Sequence, residues 1–180
     1  VEADEGVTVS TKEGLAGLRP LAPGGVHTFG SQTYPADGNC GLCVTTREKA
    51  RELSRDPKVE VSIVSFGYAR TKKGFMAAAV APSAQKALAE AGIQGKELAA
   101  VKTHNPFASN DAVLSKVLGI DRDGMNQFGS SLIYGHPQGP TGARLIMEGI
   151  EEVAMKGGGY LLFSGCAAGD TAASLVLKIG

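Results

Sequence analysis

The sequence lacks the features that would assign it to a membrane or to nucleic acid. None of its 180 residues lies in an apolar run approaching the roughly 18 to 20 residues that span a bilayer. The polar start VEADEGVTVSTKEG is unlike a secretory or transit signal. Lys plus Arg equals Asp plus Glu at 18 each, without a basic cluster, so a nucleic-acid partner is not expected. We expect a soluble globular protein.

Cysteine and histidine are scarce, with three of each. An odd number of cysteines argues against a disulfide framework and for a reducing compartment, so we predict a cytoplasmic location. Cys40 and Cys43 form CGLC, which has the spacing of redox and zinc motifs. Because this pair lies in an apolar predicted strand and no second pair completes a zinc site, we interpret both as core cysteines and predict no metal site.

From residue 57 onward, short apolar runs alternate with helical patterns. The stretches VEVSIVSFGYA, LAAVKTH, SSLIYG, GYLLFSGCA and TAASLVLKI are predicted strands. The stretches PSAQKALAEAGI, PFASNDAVLSKVLGI and TGARLIMEGIEEVAMKG are predicted helices, with Gly92, Gly119 and Gly157 to Gly159 as their stops. The resulting order, βαβαβαββ, predicts a layered α/β fold with a mixed, mostly parallel sheet and helices on both faces.

Residues 1–56 do not follow this pattern. A loop rich in Gly, Pro and Ser precedes a predicted strand, CGLCVTT, and a charged predicted helix, REKARELSRD. One strand and one helix cannot bury their apolar faces alone, so this third of the chain is typical of the end of a larger unit.

Small-residue turns follow three of the predicted strands and carry Asn105, His136 and Cys166. Because ligands bind at the carboxyl edge of parallel α/β sheets, we expect these side chains to converge. Each also has a structural interpretation: Asn105 as a helix N-cap before Pro106, His136 as a core histidine, and Cys166 as a buried inert thiol. A neighbouring histidine and cysteine would favour acyl-transfer chemistry.

The three turns, HNPFA, YGHPQGPTG and GCAAG, together resemble the carboxyl-terminal half of thiolases, which form or cleave 3-ketoacyl-CoA. That family carries an Asn-Glu-Ala-Phe type motif, then Gly-His-Pro, then Cys-x-Gly. Upstream, TFGSQTYPADGNCG is similar to a Thr-Ala-Gly-Asn-x-Ser-Gly-x-Asn-Asp-Gly segment of the same family.

The resemblance implies a role for each matching residue. His136 would activate the nucleophilic cysteine and donate to the thioester oxyanion, and Asn105 would hold a water that completes this oxyanion hole. Cys166 would be the acid/base. Ala168, at the glycine of Cys-x-Gly, would offer its backbone N–H to a second oxyanion hole if its φ is negative. Two further residues, Thr33 and Phe107, would contact coenzyme A, which is a substrate and not a permanently bound cofactor.

The resemblance also implies the organisation of the chain. Residues 1–30 would end a CoA-binding loop domain, residues 31–56 would be the last strand and helix of the amino-terminal thiolase domain, and residues 57–180 would be the carboxyl-terminal domain. The family's nucleophilic cysteine lies in an amino-terminal half that nothing here matches. We therefore expect an amino-terminal partner chain, acyl-CoA as substrate, dimers or tetramers of complete units, and a role in fatty acid or aromatic acid metabolism.

The sequence departs from the family pattern at several positions, and two rival functions are compatible with it. Pro106 replaces the glutamate that follows the motif asparagine, and Thr8 and Val9 stand near where many members carry an arginine. A condensing enzyme of the same fold is one rival, although such enzymes replace the terminal cysteine. A non-catalytic acyl-CoA-binding subunit is the other, although a scaffold needs none of the three turn residues.

Overall fold

The structure, a computed structural model, describes residues 6–180. Within them one four-stranded sheet runs in the order β1-β4-β3-β2. Its strands are Val61–Arg70 (β1), Leu98–His104 (β2), Gly159–Ala167 (β3) and Thr171–Ile179 (β4). β2 pairs with β3 in parallel, whereas β4 lies antiparallel to both β1 and β3. The α/β class and the mixed sheet are confirmed.

The helices are Lys12–Ala16 (α1), Arg47–Leu53 (α2), Val80–Ala91 (α3), Ala108–Leu118 (α4), Ser131–Tyr134 (α5) and Thr141–Met155 (α6). Four of them, α2, α3, α4 and α6, lie close to their predicted bounds, whereas α1 and α5 fall where no helix is predicted. Gly92 and Gly119 adopt the left-handed conformation, with φ of 69° and 65°, that ends α3 and α4. The predicted glycine stops are thereby confirmed at both helices.

Helices cover both faces of the sheet, as predicted. On one face α3 and α4 pack against strand residues in a core that includes Leu88, Leu114, Leu162 and Val176. On the other face α6 packs its Val153 against a second core formed mainly by the strands. The sheet is therefore the middle layer, and its two faces are buried by different helices.

The prediction of a third strand at SSLIYG is wrong. Residues Ser131–Tyr134 form the short helix α5, whose N-cap Ser130 accepts a hydrogen bond from the backbone N–H of Leu132. Four residues are too few to distinguish a strand from a helical turn by periodicity, and the serine cap decides for the turn. Without this strand β1, β2 and β3 still run in one direction and only β4 opposes them, so the expectation of a mixed, mostly parallel sheet is confirmed.

The strand predicted at CGLCVTT is also absent from the described chain, where residues 40–46 are irregular and largely exposed. A strand needs a neighbour for its backbone N–H and C=O groups, and this segment has none among the described residues. Cys43 is exposed and Cys40 is half-buried, so the interpretation of both as core cysteines is wrong for this structure. The helix predicted after them is confirmed as α2.

Residues 6–60 contribute no fully buried residue. Part of the segment nevertheless packs on the body of the chain. Thr33 donates its backbone N–H to Pro106 at 2.8 Å and its hydroxyl to the Ser131 carbonyl at 2.5 Å, while His136 donates its N–H to the Tyr34 carbonyl at 2.8 Å. Residues 32–36 therefore tie together two of the turns that the sequence singles out.

The part of the predicted loop domain that falls on residues 1–5 lies outside the described residues, and the predicted domain boundaries stay predictions. Across residues 6–180, no helix has both the length and the apolar character that crossing a membrane requires.

Candidate active site

The turns after β2 and β3 and the turn before α6 meet around one cavity of about 470 Å³. Four of the predicted site residues line it: Phe107, His136, Cys166 and Ala168. Its other lining residues are Met76, His104, Pro106, Gln138, Thr141, Gly142, Phe163, Gly165 and Ala167. The expected convergence of the turns carrying His136 and Cys166 is therefore found.

His136 is held by its backbone and by one ring nitrogen. Its Nδ1 lies 2.8 Å from Thr141 Oγ1, and the ring also has a hydrogen bond with the side chain of Gln138, another residue that lines the cavity. Gly135 before it has φ of 78°, and a Cβ there would lie 2.6 Å from that of Ala36. The glycine is thus required by its positive φ and by the packing of residues 32–36. Burial lowers the pKa of His136, which favours the neutral imidazole.

His104, the last residue of β2, stacks on His136 at the wall of the cavity. The two ring centroids are 4.1 Å apart at an interplanar angle of 30°. His104 Nδ1 lies 3.2 Å from Ser131 Oγ, so this ring too is fixed at Nδ1. Burial, reinforced by the nearby His136 and Arg144, lowers the pKa of His104 to about 4. At neutral pH the ring is neutral and carries a single N–H donor.

Asn105 does not line the cavity. Its side chain is 1 % exposed and donates from Nδ2 to Asp111 Oδ2 at 2.6 Å, on the side opposite His104. Successive residues of an extended segment point to opposite faces, so only one of this neighbouring pair can face the cavity. The predicted role of Asn105 stays untested, but the geometry offers His104 for it.

A signal for His104 is present in the sequence. In the family's Asn-Glu-Ala-Phe motif the asparagine stands three residues before the phenylalanine. Counting back three residues from Phe107 reaches His104, with Asn105 and Pro106 at the two middle positions. When the motif is aligned on Phe107 and not on the asparagine, His104 takes the position of the motif asparagine, and His104 is the residue that lines the cavity.

Behind the cavity, Asp111 accepts three hydrogen bonds. Thr103 Oγ1 lies 2.5 Å away, Asn105 Nδ2 2.6 Å away and Asn126 Nδ2 3.4 Å away. Asn126 also accepts the Thr103 backbone N–H at 2.8 Å and adopts a left-handed φ of 51°. Burial raises the pKa of Asp111, and the three donors oppose that rise. This polar cluster holds the end of β2, although the residue pattern alone did not point to it.

Cys166 reaches the cavity from the end of β3. It is 7 % exposed, and its Sγ lies 3.3 Å from Asn110 Nδ2. Burial raises the pKa of Cys166, partly offset by the Asn110 amide, so the thiol form prevails at neutral pH. Ala168 keeps a negative φ, because the left-handed positions of the turn are taken by Gly169 and Asp170. The condition for its N–H to act as a donor is therefore met.

The two predicted CoA contacts differ in position. Phe107 lines the cavity and packs against His27, with ring centroids 5.3 Å apart. Thr33 does not line it, since its hydroxyl is engaged by the Ser131 carbonyl. Among residues 6–180, no group of three His, Cys, Asp or Glu side chains is placed to hold a metal ion.

Comparison with known proteins agrees with this fold. Residues 57–179 match the family model of the thiolase C-terminal domain. A probable acetyl-CoA acetyltransferase of Mycolicibacterium smegmatis is 31% identical over 177 residues, which cover 97% of this chain and 45% of that protein. A 3-ketoacyl-CoA thiolase of Photobacterium profundum is 30% identical over 190 residues, covering 94% and 43% respectively.

Among solved structures, human mitochondrial 3-ketoacyl-CoA thiolase in complex with CoA has the same fold, with a TM-score of 0.84 at 21% identity. The match covers 100% of this chain and 46% of that one. The fold and the family model together place this chain in a family of acyltransferases. It belongs to the thiolase family, matches the carboxyl-terminal domain, and spans about 45% of the length of the curated relatives it resembles.

Proposed function

We propose that these residues form the carboxyl-terminal half of a thiolase active site that cleaves or forms 3-ketoacyl-CoA. The observation that carries the proposal is the placement of His104, His136 and Cys166 around one cavity. Two neutral imidazoles and a thiol suit a reaction in which protons move to and from sulfur and an oxyanion must be stabilised. The names of the relatives support acyl-CoA as the substrate class.

In the cleavage direction, His136 accepts the proton of a nucleophilic cysteine supplied by an amino-terminal thiolase half. The thiolate attacks the 3-keto carbon, the bond between C2 and C3 breaks, and its electron pair remains on C2. Cys166 then donates its thiol proton to C2, which releases acetyl-CoA. Burial, by keeping Cys166 protonated, prepares it for this step.

In the second half of the reaction, the Cys166 thiolate takes the proton of an incoming CoA thiol. The CoA sulfur attacks the acyl-enzyme thioester, the shortened acyl chain leaves as acyl-CoA, and the released cysteine thiolate takes back the proton held by His136. The proton gained by Cys166 restores the starting state, so each proton is accounted for over one turnover.

Negative charge develops on the carbonyl oxygen at each step. His104 and His136, whose Nδ1 atoms lie against hydroxyl groups, can direct Nε2 donors to one oxyanion. The Ala168 N–H, at the turn after β3, is a donor for the other. A positioned donor of this kind supplies about 10²- to 10³-fold in rate. We assign to His104 the position that the family motif gives to asparagine.

An uncovered apolar surface supports the need for an amino-terminal half. Phe66 and Tyr68 of β1 are 55 % and 52 % exposed on the sheet face opposite α3. Adjacent exposed apolar side chains of this size mark an interface. The relatives are more than twice as long as this chain, so their remaining half is the occupant we propose for this surface.

The test is thiolysis of acetoacetyl-CoA and longer 3-ketoacyl-CoA esters by the complete enzyme. By complete enzyme we mean these 180 residues together with an amino-terminal thiolase half, on the same chain or on a second one. We expect the wild type to cleave these substrates and Cys166→Ala to lose about 10²- to 10⁴-fold in kcat. Undiminished activity in Cys166→Ala would contradict the proposed acid/base role of Cys166 and with it the thiolase reaction. A wild type that binds the esters without cleaving them would indicate a non-catalytic subunit.

A further inference from the structure

Asn110 is a fully buried polar residue in the first turn of α4, and its side chain contacts the sulfur of Cys166. Its Oδ1 accepts the backbone N–H of Phe107 at 3.2 Å. Its Nδ2 donates to the Ala77 carbonyl and to Cys166 Sγ, both at 3.3 Å. A primary amide has two N–H donors, so one is available for the carbonyl and one for the sulfur. Every polar atom of this side chain is therefore satisfied.

The contact with sulfur has a directional consequence. A thiol uses its hydrogen as a donor and its lone pairs as acceptors, and the Asn110 N–H occupies a lone pair of Cys166 Sγ from the α4 side. Asn110 does not line the cavity, whereas Cys166 does. The thiol hydrogen is thus left to point away from α4, toward the cavity where a substrate atom would lie.

The same contact has an electrostatic consequence. An N–H donor interacts more strongly with a thiolate than with a thiol, because hydrogen bonds to charged groups are stronger than those to neutral ones. Cys166 lies in surroundings that disfavour its charged form, and Asn110 is the side chain that opposes them. A cysteine that acts alternately as acid and as base must be able to adopt both the thiol and the thiolate form.

We propose that Asn110 is a positioning residue for Cys166, aiming its Sγ at the cavity and stabilising its thiolate during turnover. The inference depends on the proposed acid/base role of Cys166, and it adds a residue of α4 to the site. Asn110 acts through the sulfur and does not touch the substrate.

The primary variant is Asn110→Ser, which separates the contact with sulfur from the structural role. A serine at this position can still cap the helix, because elsewhere in the chain Ser31 Oγ accepts the Thr28 N–H at 2.8 Å across the same three-residue spacing. It lacks the amide that reaches Cys166. Asn110→Asp is a second variant, of the same size, that keeps the acceptor for Phe107 and replaces the donor with a carboxylate.

The measurement is the rate at which iodoacetamide alkylates Cys166 in the complete enzyme, followed for that one peptide by mass spectrometry. At pH 8 we expect each variant to react roughly tenfold more slowly than the wild type, since a hydrogen bond to a charged group is worth about 1.5 kcal/mol. Ser115→Ala is the matched control, because it removes a hydrogen bond to Ile120 from the far end of the same helix. Its alkylation rate should equal that of the wild type.

A structural role alone would change the melting temperature without changing the alkylation profile of Cys166. If both folded variants react at the wild-type rate across the pH range, the proposal is overturned. The assay needs no turnover, so its outcome is independent of whether the complete enzyme proves to be a thiolase.

Discussion

The end of β2 has two sides that differ in what their polar groups do. On the cavity side, His104 stacks on His136 and is held by a hydroxyl at Nδ1 only, which leaves the other nitrogen for a ligand. On the opposite side, Thr103 and Asn105 direct their side chains to the Asp111 carboxylate. Under the proposed mechanism, His104 takes part in the chemistry and its neighbours support the fold, so mutations on the two sides should differ in kind.

The largest effect is expected for His136→Ala in the complete enzyme. The variant loses both the base for the nucleophilic cysteine and one oxyanion donor, so kcat should fall by about 10³-fold or more. Steady-state thiolysis measures this loss, and the melting temperature should change little because the ring is only partly buried. A fall of less than tenfold would remove His136 from the proposed mechanism.

On the same side, His104→Ala should lower kcat by about 10²-fold, the typical cost of one oxyanion donor. His104→Asn should retain more activity, because a neutral amide can still donate to the oxyanion. Measuring both variants with one substrate separates the lost donor from the lost ring. Equal activity of the two variants would argue against a donor role for His104.

On the supporting side, Asp111→Ala should act mainly on stability. It leaves the buried donors of Thr103, Asn105 and Asn126 without their shared acceptor, at about 1 to 3 kcal/mol for each group left unsatisfied. Denaturant unfolding of the complete enzyme measures the loss, and kcat of the folded fraction should fall by less than tenfold. An unfolding free energy equal to that of the wild type would contradict a supporting role.

The smallest effect is expected in the pH dependence of stability. His104 is neutral in the fold because its pKa is lowered from 6.5 to about 4. In the unfolded chain it takes up a proton near pH 6.5, whereas the folded chain does not until about pH 4, so acidification favours unfolding across this window. The stability contribution is thus present above pH 6.5 and is lost as the pH falls toward 4.

The variant His104→Asn provides the reference for that measurement. The raised pKa of Asp111 makes the folded state more stable as the pH falls, which is opposite to the effect of His104. Because this contribution is present in both proteins, it cancels in the difference between their unfolding free energies. We expect the stability advantage of the wild type over the variant to shrink between pH 6.5 and pH 4. A difference that stays constant with pH would show that His104 does not titrate as the structure indicates.

Much of the fold follows from local sequence signals. β3 and β4 are predicted at their observed bounds, because each apolar run is closed on both sides by glycine or a turn. The stops of α3 and α4 follow from Gly92 and Gly119, whose left-handed conformation is costly for other residues. The boundaries of these elements are therefore set by residues within or next to them.

The predictions that are wrong concern segments whose structure is determined by tertiary contacts. SSLIYG fits either a strand or a helical turn, and its position under residues 32–36 is not encoded locally. CGLCVTT lacks a strand to pair with among the described residues. Which of His104 and Asn105 faces the cavity depends on which face of β2 is covered by α4 and which by α6, a fact of packing that no local pattern carries.

The comparison of the two sides is tested most directly by measuring kcat for His104→Ala and Asn105→Ala in the complete enzyme, each corrected for its folded fraction. We expect a loss of about 10²-fold for His104→Ala. For Asn105→Ala we expect a loss below about tenfold, together with a lower unfolding free energy. If Asn105→Ala loses the larger factor in kcat while its stability is unchanged, the assignment of His104 to the reacting side is contradicted.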